Sequence, residues 1–239
     1  MFHTSASDEP HDDRHRPHFH FTAQKNWVND PNGLVYYDGR FHLFYQYNPF
    51  GSRWGHMHWG HAESADLVGW RHLPIALSPD RLGTIFSGSV VVDHQNTCGL
   101  FPTRQGGVAA IFTYFKWGLQ RQGLATSRDG GVTWEKYAGN PVIKNPLLIH
   151  FRDPKVFFHS QTGRWVMVIA AGDRVRFYSS GDLLDWKCTG SFGKGYGAHG
   201  GVWECPDLFE LAVDGNKDKK KWVLLVSVQK GAPGGGAGT

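Results

Sequence analysis

Three carboxylates occupy similar local contexts although they lie far apart in the sequence. Asp30 and Asp153 each stand directly before a proline, and Glu204 stands two residues before one. A single Asp-Pro pair is an ordinary turn signal, whereas three carboxylates in one repeating context indicate a shared site. Two carboxyl groups that meet around a sugar can hydrolyse a glycosidic bond, because one protonates the leaving oxygen while the other attacks or activates water. The residue types therefore favour glycoside hydrolysis.

The elements that must position these carboxylates recur along the chain. A Ser-x-Asp element followed after a short turn by Trp occurs three times, and its Asp recurs after 63 residues (129 − 66) and then after 53 (182 − 129). The three copies are Ser64–Trp70, Ser127–Trp134 and Ser180–Trp186. Short apolar-aromatic runs with period two lie between them, and no sustained helical stripe is present. A repeat of this length with four short strands predicts a β-propeller, an all-β fold.

Aligned on this repeat, the chain holds about three and a half blades, which begin near Asp30, Ser87, Asp153 and Glu204. The fourth unit has two strands, at 206–211 and 222–228, with a charged hairpin loop at 217–221, and then runs into Gly-rich sequence. Because the innermost strand of every blade lines the central channel, the carboxylates are predicted to converge there. Residues 1–18 are interpreted as a disordered lead and residues 19–239 as a partial propeller catalytic domain.

Composition, charge and cysteine content argue against several other classes of protein. Hydrophobic residues make up 40% and charged residues 19% of the 239 residues, which predicts a packed core. The net charge of +4 is small and diffuse, which argues against nucleic acid, and no apolar stretch approaches a membrane span. Three widely spaced cysteines give no disulfide framework. The N-terminus lacks a signal-peptide pattern, which favours a cytoplasmic location, or a secreted one if an export segment is missing from this sequence.

Two patterns could suggest a cofactor. Residues 195–200 match GxGxxG, but they precede a strand and open no helix, which argues against dinucleotide binding. His56, His58 and His61 could suggest a metal, but no carboxylate or fourth ligand is placed beside them. We therefore expect neither a metal nor an organic cofactor.

The motifs around the carboxylates resemble those of glycoside hydrolase family 32, the β-fructosidases. Trp-Val-Asn-Asp-Pro-Asn-Gly at 27–33 resembles the sucrose-binding box of that family. Phe-Ser-Gly-Ser at 86–89, Phe-Arg-Asp-Pro at 151–154 and Trp-Glu-Cys-Pro at 203–206 look like its next three motifs, in the family's order. The resemblance spans residues 19–230 and implies a five-bladed propeller followed by a β-sandwich, which is absent from this chain.

The same resemblance implies roles for individual residues. Asp30 would be the nucleophile, Glu204 the acid/base, and Asp153 a transition-state stabiliser that holds ring hydroxyls. The positions that match the family's fructose pocket are Asn29, Gln46, Trp54, Phe86, Ser87 and Arg152. Carboxylates and amides suit a small ring rich in hydroxyls, and the aromatic side chains supply an apolar wall. Arg152 is expected to keep Asp153 ionised through a charge-assisted bond.

The predicted function is therefore a retaining, exo-acting hydrolase that releases β-fructosyl units from sucrose, inulin or levan. The residues around Glu204 resemble those of microbial levanases and fructan hydrolases more than those of plant vacuolar enzymes. The chain by itself is expected to be an incomplete and inactive enzyme, because an open propeller leaves an unpaired strand edge.

Three alternatives remain. One is a fructosyltransferase on the same site, and another is a non-catalytic propeller that binds sugars or proteins. The third is an inverting five-bladed hydrolase that acts on arabinose or xylose. The presence of all three carboxylates disfavours the non-catalytic propeller, and the Asp-Pro-Asn-Gly and Glu-Cys motifs disfavour the inverting hydrolase.

Overall fold

The computed structural model describes residues 16–17 and 20–231, and these residues form an all-β structure. The strands are β1 (Trp27–Tyr37), β2 (Arg40–Asn48), β3 (His58–Ser64), β4 (Trp70–Leu77), β5 (Thr84–Asp93), β6 (Gly107–Lys116), β7 (Leu119–Ser127), β8 (Glu135–Lys136), β9 (Arg152–His159), β10 (Arg164–Ala170), β11 (Val175–Ser180), β12 (Trp186–Phe192), β13 (Trp203–Val213) and β14 (Asn216–Val228). Most of the expected lead at 1–18 lies outside the described residues, as does the glycine-rich stretch at 232–239. Within the described ranges, no helix is long and apolar enough to cross a membrane.

The strands form a series of antiparallel sheets. Strands β1–β4, β5–β8 and β9–β12 make three four-stranded sheets, and β13 pairs with β14 in a two-stranded sheet. Strand β1 contacts β5, β5 contacts β9, and β9 contacts β13, so the first strand of every sheet belongs to one inner row. Sheets related in this way are the blades of a propeller. The prediction of three blades and two strands of a fourth is confirmed.

Apolar side chains between neighbouring blades form the core. Large residues that are fully or nearly fully buried fill the two interfaces of blade two, and these are Phe44, Trp59, Ile85 and Phe112 on one side and Ile111, Leu124, Phe151 and Met167 on the other. A smaller cluster that includes Val168, Trp203 and Val228 joins blade three to β13 and β14. Burial of side chains of this size contributes about 1.5–3 kcal/mol each, so blade packing fixes where the inner strands lie.

The Ser-x-Asp element closes the turn between the third and fourth strands of each complete blade. In blade one, Ser64 Oγ donates to Asp66 Oδ1 at 3.0 Å, and Trp70 Nε1 donates to the carbonyl of Leu67 at 3.2 Å. The Ser–Asp bond recurs at 2.8 Å in blade two and 2.9 Å in blade three, each time with a Trp-to-backbone bond beside it. The repeat in the sequence is therefore a turn cap at the rim of each blade, away from the channel.

The hairpin between β13 and β14 differs from the expectation. Residues 217–221, which were expected to form a loop, belong to strand β14. The turn is made by Asp214 and Gly215, whose φ angles are 51° and 75°. Positive φ at both central residues matches the right-handed twist of a hairpin, so a two-residue turn suffices and the lysines continue the strand.

Candidate active site

A break in strand pairing marks each inner strand where a candidate residue lies. The register shifts surround Asp30 in β1, Ser87 in β5 and Asp153 in β9, and in β13 the shift follows directly after Glu204, at Cys205. In three of these strands a proline follows directly, and proline cannot donate to the ladder. In a regular strand the side chains alternate between the two faces of the sheet, and a bulge changes the direction of one of them. Four bulges at the same end of four inner strands therefore direct these side chains toward one place.

The break at Ser87 depends on the glycine that follows it. A Cβ atom on Gly88 would lie 2.1 Å from the carbonyl oxygen of Ile111 on β6, so a larger residue would push the strands apart. With glycine there, Ser87 Oγ reaches across to blade one and donates to Asp30 Oδ2 at 2.6 Å. This bond fixes the orientation of the Asp30 carboxylate.

The structure brings all nine of the residues singled out from the sequence to one cavity of about 470 Å³. They are Asn29, Asp30, Gln46, Trp54, Phe86, Ser87, Arg152, Asp153 and Glu204. Sequence reasoning missed further residues of the lining, which are Trp27, Met57, Phe115, Gln120, His150, Cys205 and Ser227. Cys205 stands directly after Glu204 in the sequence, so this neighbour could have been found from the motif, whereas Phe115 and Gln120, which pair across β6 and β7, are marked by no motif.

Cys205 lies between two of the carboxylates. Its Sγ is 3.6 Å from Asp30 Oδ2 and 3.7 Å from Asp153 Oδ2, and its backbone N–H donates to Asp153 Oδ2 at 3.0 Å. Burial and the charges of Asp153, Asp30 and Glu204 raise the pKa of the Cys205 thiol, so the sulfur stays protonated and uncharged. Asp30 and Asp153 are therefore separated by a neutral donor.

Arg152 pairs mainly with the carboxylate of the next blade. Its Nη2 donates to Glu204 Oε1 at 2.7 Å, whereas its Nε lies 3.7 Å from Asp153 Oδ2. Its Nη1 lies 2.9 Å from His150 Nδ1, and because arginine is only a donor, this histidine nitrogen is the acceptor. The Arg152–Glu204 ion pair thus connects blade three to the two strands of the fourth blade at the cavity.

Asp153 is 7% exposed, and burial raises its pKa to about 6. Arg152 and the Cys205 amide lower this pKa, and the charges of Asp30 and Glu204 raise it further. Arg152 therefore favours the ionised form of Asp153, in the direction that was expected, but it does not bring the pKa below the ordinary value. The net shift is upward, because desolvation outweighs an arginine whose closest contact is with Glu204. Asp153 is still mostly ionised at pH 7 but takes up a proton near pH 6.

The cavity also has an apolar wall and an unpaired donor. The rings of Phe86 and Phe115 stack with centroids 4.7 Å apart, and Trp54 meets Phe86 edge-on at 6.3 Å. On the other side, Gln46 is 4% exposed, and its Nε2 forms no hydrogen bond with the described residues. A buried amide without a partner is costly, which marks Gln46 as a residue that the fold alone does not satisfy.

The patterns that could suggest a cofactor have structural roles. His61 is buried with its Nε2 3.1 Å from His42 Nδ1, and its ring stacks on Phe44 at 4.2 Å. Residues 195–200 form an irregular connection that leads into β13. Among the described residues, no group of three or more His, Cys, Asp and Glu side chains is arranged to hold a metal.

Three carboxylates in one polar cavity beside an aromatic wall, on a propeller, form the arrangement of a glycosidase domain. Comparison with known families agrees. The family model described as the glycosyl hydrolases family 32 N-terminal domain matches residues 20–236. The chain belongs to this family.

Known relatives are similar over most of this chain. The levanase of Bacillus subtilis (strain 168) is 57% identical over 98% of this chain and 35% of its own length. The extracellular exo-inulinase of Aspergillus niger is 41% identical over 96% of this chain and 47% of its own length. The β-fructofuranosidase of Schwanniomyces occidentalis, solved in complex with fructosyl-erythritol, superposes with a TM-score of 0.87 at 41% identity, over 93% of this chain and 44% of that structure. The chain thus spans less than half of the length of these relatives.

Proposed function

We propose that this chain carries the catalytic site of an enzyme that hydrolyses terminal β-fructosyl linkages of sucrose or fructans with retention of configuration. The observation that carries the proposal is the convergence of Asp30, Asp153 and Glu204 on one cavity, with Cys205 between the two aspartates. The relatives support the substrate class, since their names are levanase, exo-inulinase and β-fructofuranosidase.

Asp30 is assigned as the nucleophile. Ser87 donates to Oδ2 at 2.6 Å and the Cys205 thiol lies 3.6 Å from the same oxygen, which leaves Oδ1 for the substrate. In the first step Oδ1 forms a bond to the anomeric carbon of the fructosyl unit while the bond to the leaving oxygen breaks. The product of this step is a covalent fructosyl-enzyme ester.

Glu204 is assigned as the acid/base. Its Oε1 accepts a hydrogen bond from Arg152 Nη2 at 2.7 Å, so we assign proton transfer to Oε2. Oε2 gives its proton to the leaving oxygen in the first step. In the second step it takes a proton from the water that attacks the ester, which restores the original configuration at the anomeric carbon.

The other residues of the cavity are assigned to binding. Ionised Asp153 accepts hydrogen bonds from ring hydroxyls, and these bonds strengthen as positive charge develops on the sugar ring. The buried amide of Gln46 and the amide of Asn29 hold further hydroxyls, and Trp54 and Phe86 face the apolar side of the ring.

The test is an assay of the full-length protein on sucrose, inulin and levan, with all products identified and the released fructose followed by NMR at early times. Free fructose with retained configuration is the expected result. Oligosaccharides formed at high sucrose would identify a fructosyltransferase. Binding without release would identify a non-catalytic propeller, and inverted fructose would exclude Asp30 as a nucleophile.

A further inference from the structure

The β6–β7 hairpin stands at the mouth of the cavity. Strand β6 runs antiparallel to β5, so its last residues lie beside the first residues of β5, where Phe86 and Ser87 face the cavity. Lys116 pairs with Leu119, which makes Trp117 and Gly118 the two central residues of the turn. The turn is thus two residues beyond Phe115, which itself lines the cavity.

Trp117 is an unusual residue for this turn. Its φ is 53° and that of Gly118 is 79°, a conformation for which Asn-Gly is preferred and in which a bulky side chain is strained. The side chain is 88% exposed, so packing in the core does not explain its presence. Backbone strain of this kind is found mainly at functional sites, which makes this exposed ring a candidate for binding.

The ring of Trp117 is nevertheless held in place. The Lys116 ammonium lies 4.5 Å from the ring centroid, and the same Nζ donates to the carbonyl of Arg81 at 2.7 Å. A cation over one face of an indole is attracted to it, and the hydrogen bond fixes the cation. One face of the ring is therefore supported, while the rest remains open to a ligand.

The aromatic wall of the cavity leads to the hairpin that carries this ring. Trp54, Phe86 and Phe115 follow one another in ring contact along the wall, and Trp117 lies two residues beyond Phe115, at the tip of the same hairpin. Flat aromatic rings cover the apolar C–H faces of sugars, while the sugar hydroxyls stay in water. An aromatic wall inside the cavity, with one more exposed ring at the tip of the hairpin that carries Phe115, suits a ligand longer than the cavity, which is a chain of sugar units.

We infer that Phe115 and Trp117 bind the leaving side of a fructan chain, with Phe115 against the unit next to the cleaved bond and Trp117 against the unit beyond it. The inference rests on the proposed function and deepens it. A disaccharide such as sucrose has only one unit on the leaving side and does not reach Trp117. Trp117 therefore favours fructan chains over sucrose.

The test uses Trp117→Asn in the full-length protein, because Asn-Gly is the preferred sequence for this turn and the variant removes the ring without harming the hairpin. We expect kcat/KM on inulin and levan to fall roughly three- to tenfold, mainly through KM, with sucrose within about twofold of wild type. The melting temperature should be equal to or higher than that of wild type. Phe115→Ala should lower kcat/KM on both sucrose and fructan.

Tyr36→Ala is the matched control, since Tyr36 is an exposed aromatic residue at the far end of β1 and outside the cavity. It should leave both substrates unaffected. An equal loss on sucrose and fructan in Trp117→Asn, or no loss on either, overturns the inference while leaving the proposed function intact. If wild type releases no fructose from any of the three substrates, the proposed function fails and this inference fails with it.

Discussion

Arg152 Nη2 donates to Glu204 Oε1 at 2.7 Å, so the guanidinium of blade three holds the carboxylate of blade four. The same side chain lowers the pKa of Asp153. One cation therefore serves two carboxylates that would otherwise repel each other, and its removal should affect both.

The first prediction concerns Arg152→Ala. Without the arginine, the pKa of Asp153 should rise above its present value of about 6, so the carboxylate becomes protonated at a higher pH. At pH 7, kcat/KM should fall about 10- to 100-fold, as for the loss of one or two charge-assisted hydrogen bonds.

The measurement is kcat/KM on sucrose from pH 4 to pH 9. The acid limb should move to higher pH, and Arg152→Lys should move it less because the charge is kept. An acid limb that stays in place would contradict the prediction.

The second prediction separates Asp30 from Glu204. Asp30→Asn should lower kcat by several orders of magnitude on every substrate, because no nucleophile remains. Glu204→Ala should lower kcat roughly 10²- to 10⁴-fold on sucrose but much less on an activated aryl fructoside, whose leaving group needs no proton. Steady-state kinetics with both substrates make the comparison. If Glu204→Ala lost as much activity on the aryl fructoside as on sucrose, the acid would have to be another residue.

The third prediction uses the raised pKa of Asp153 as a stability effect. A carboxyl with a pKa of about 6 in the folded state and about 3.9 in the unfolded state destabilises the fold when ionised. That cost is absent below about pH 4, develops between about pH 4 and pH 6, and is complete above that range. Asp153→Asn removes this cost. The variant should exceed wild type by about 2–3 kcal/mol in the free energy of unfolding at pH 7.5, with little difference at pH 4.

Urea unfolding at the two pH values measures this difference. Asp66→Asn is a control with the opposite sign, because the backbone amides of Val68 and Gly69 lower the pKa of Asp66. That variant should be less stable than wild type at pH 7.5, and the gap should close at low pH. A gap between Asp153→Asn and wild type that does not change with pH would show that the Asp153 pKa is not raised.

The convergence of the carboxylates could be predicted because it depends only on the repeat. Equivalent positions in a propeller lie on the inner strands, so Asp30, Asp153 and Glu204 follow from the register of the motifs. The partner of Arg152 could not be predicted. A long side chain at a bulge can turn toward its own neighbour or toward the next blade, and the choice depends on how the two inner strands pack.

The other missed residues have a different reason. His150 lies in the connection before β9 and Gln120 near the start of β7, and no motif marks either residue. The loop expected at 217–221 was wrong because a run of lysines was interpreted as a turn, whereas Asp214 and Gly215 supply the positive φ angles that a hairpin needs.

The last prediction concerns His150, which supports Arg152 from the side opposite Glu204. Its Nδ1 accepts from Arg152 Nη1 at 2.9 Å and can do so only while it is unprotonated. Burial and the Arg152 charge lower the pKa of His150 below 6.5, against the opposing effect of Glu204, so the acceptor is present at pH 7. Protonation at lower pH removes the acceptor and places two cations side by side.

His150→Phe should therefore lower kcat/KM roughly tenfold at pH 7, because a hydrogen bond to a charged donor is lost and Arg152 is less firmly held against Glu204. His150→Asn offers a side-chain oxygen near the position of Nδ1 and should stay within about threefold of wild type. Asparagine does not titrate, so in the acidic range His150→Asn should lose less of its neutral-pH activity than wild type does.

The measurement is kcat/KM on sucrose from pH 4 to pH 8 for wild type, His150→Phe and His150→Asn, with melting temperatures as the folding control. If His150→Asn were as impaired as His150→Phe, or if its acid limb coincided with that of wild type, the Nδ1 contact would not position Arg152 during catalysis.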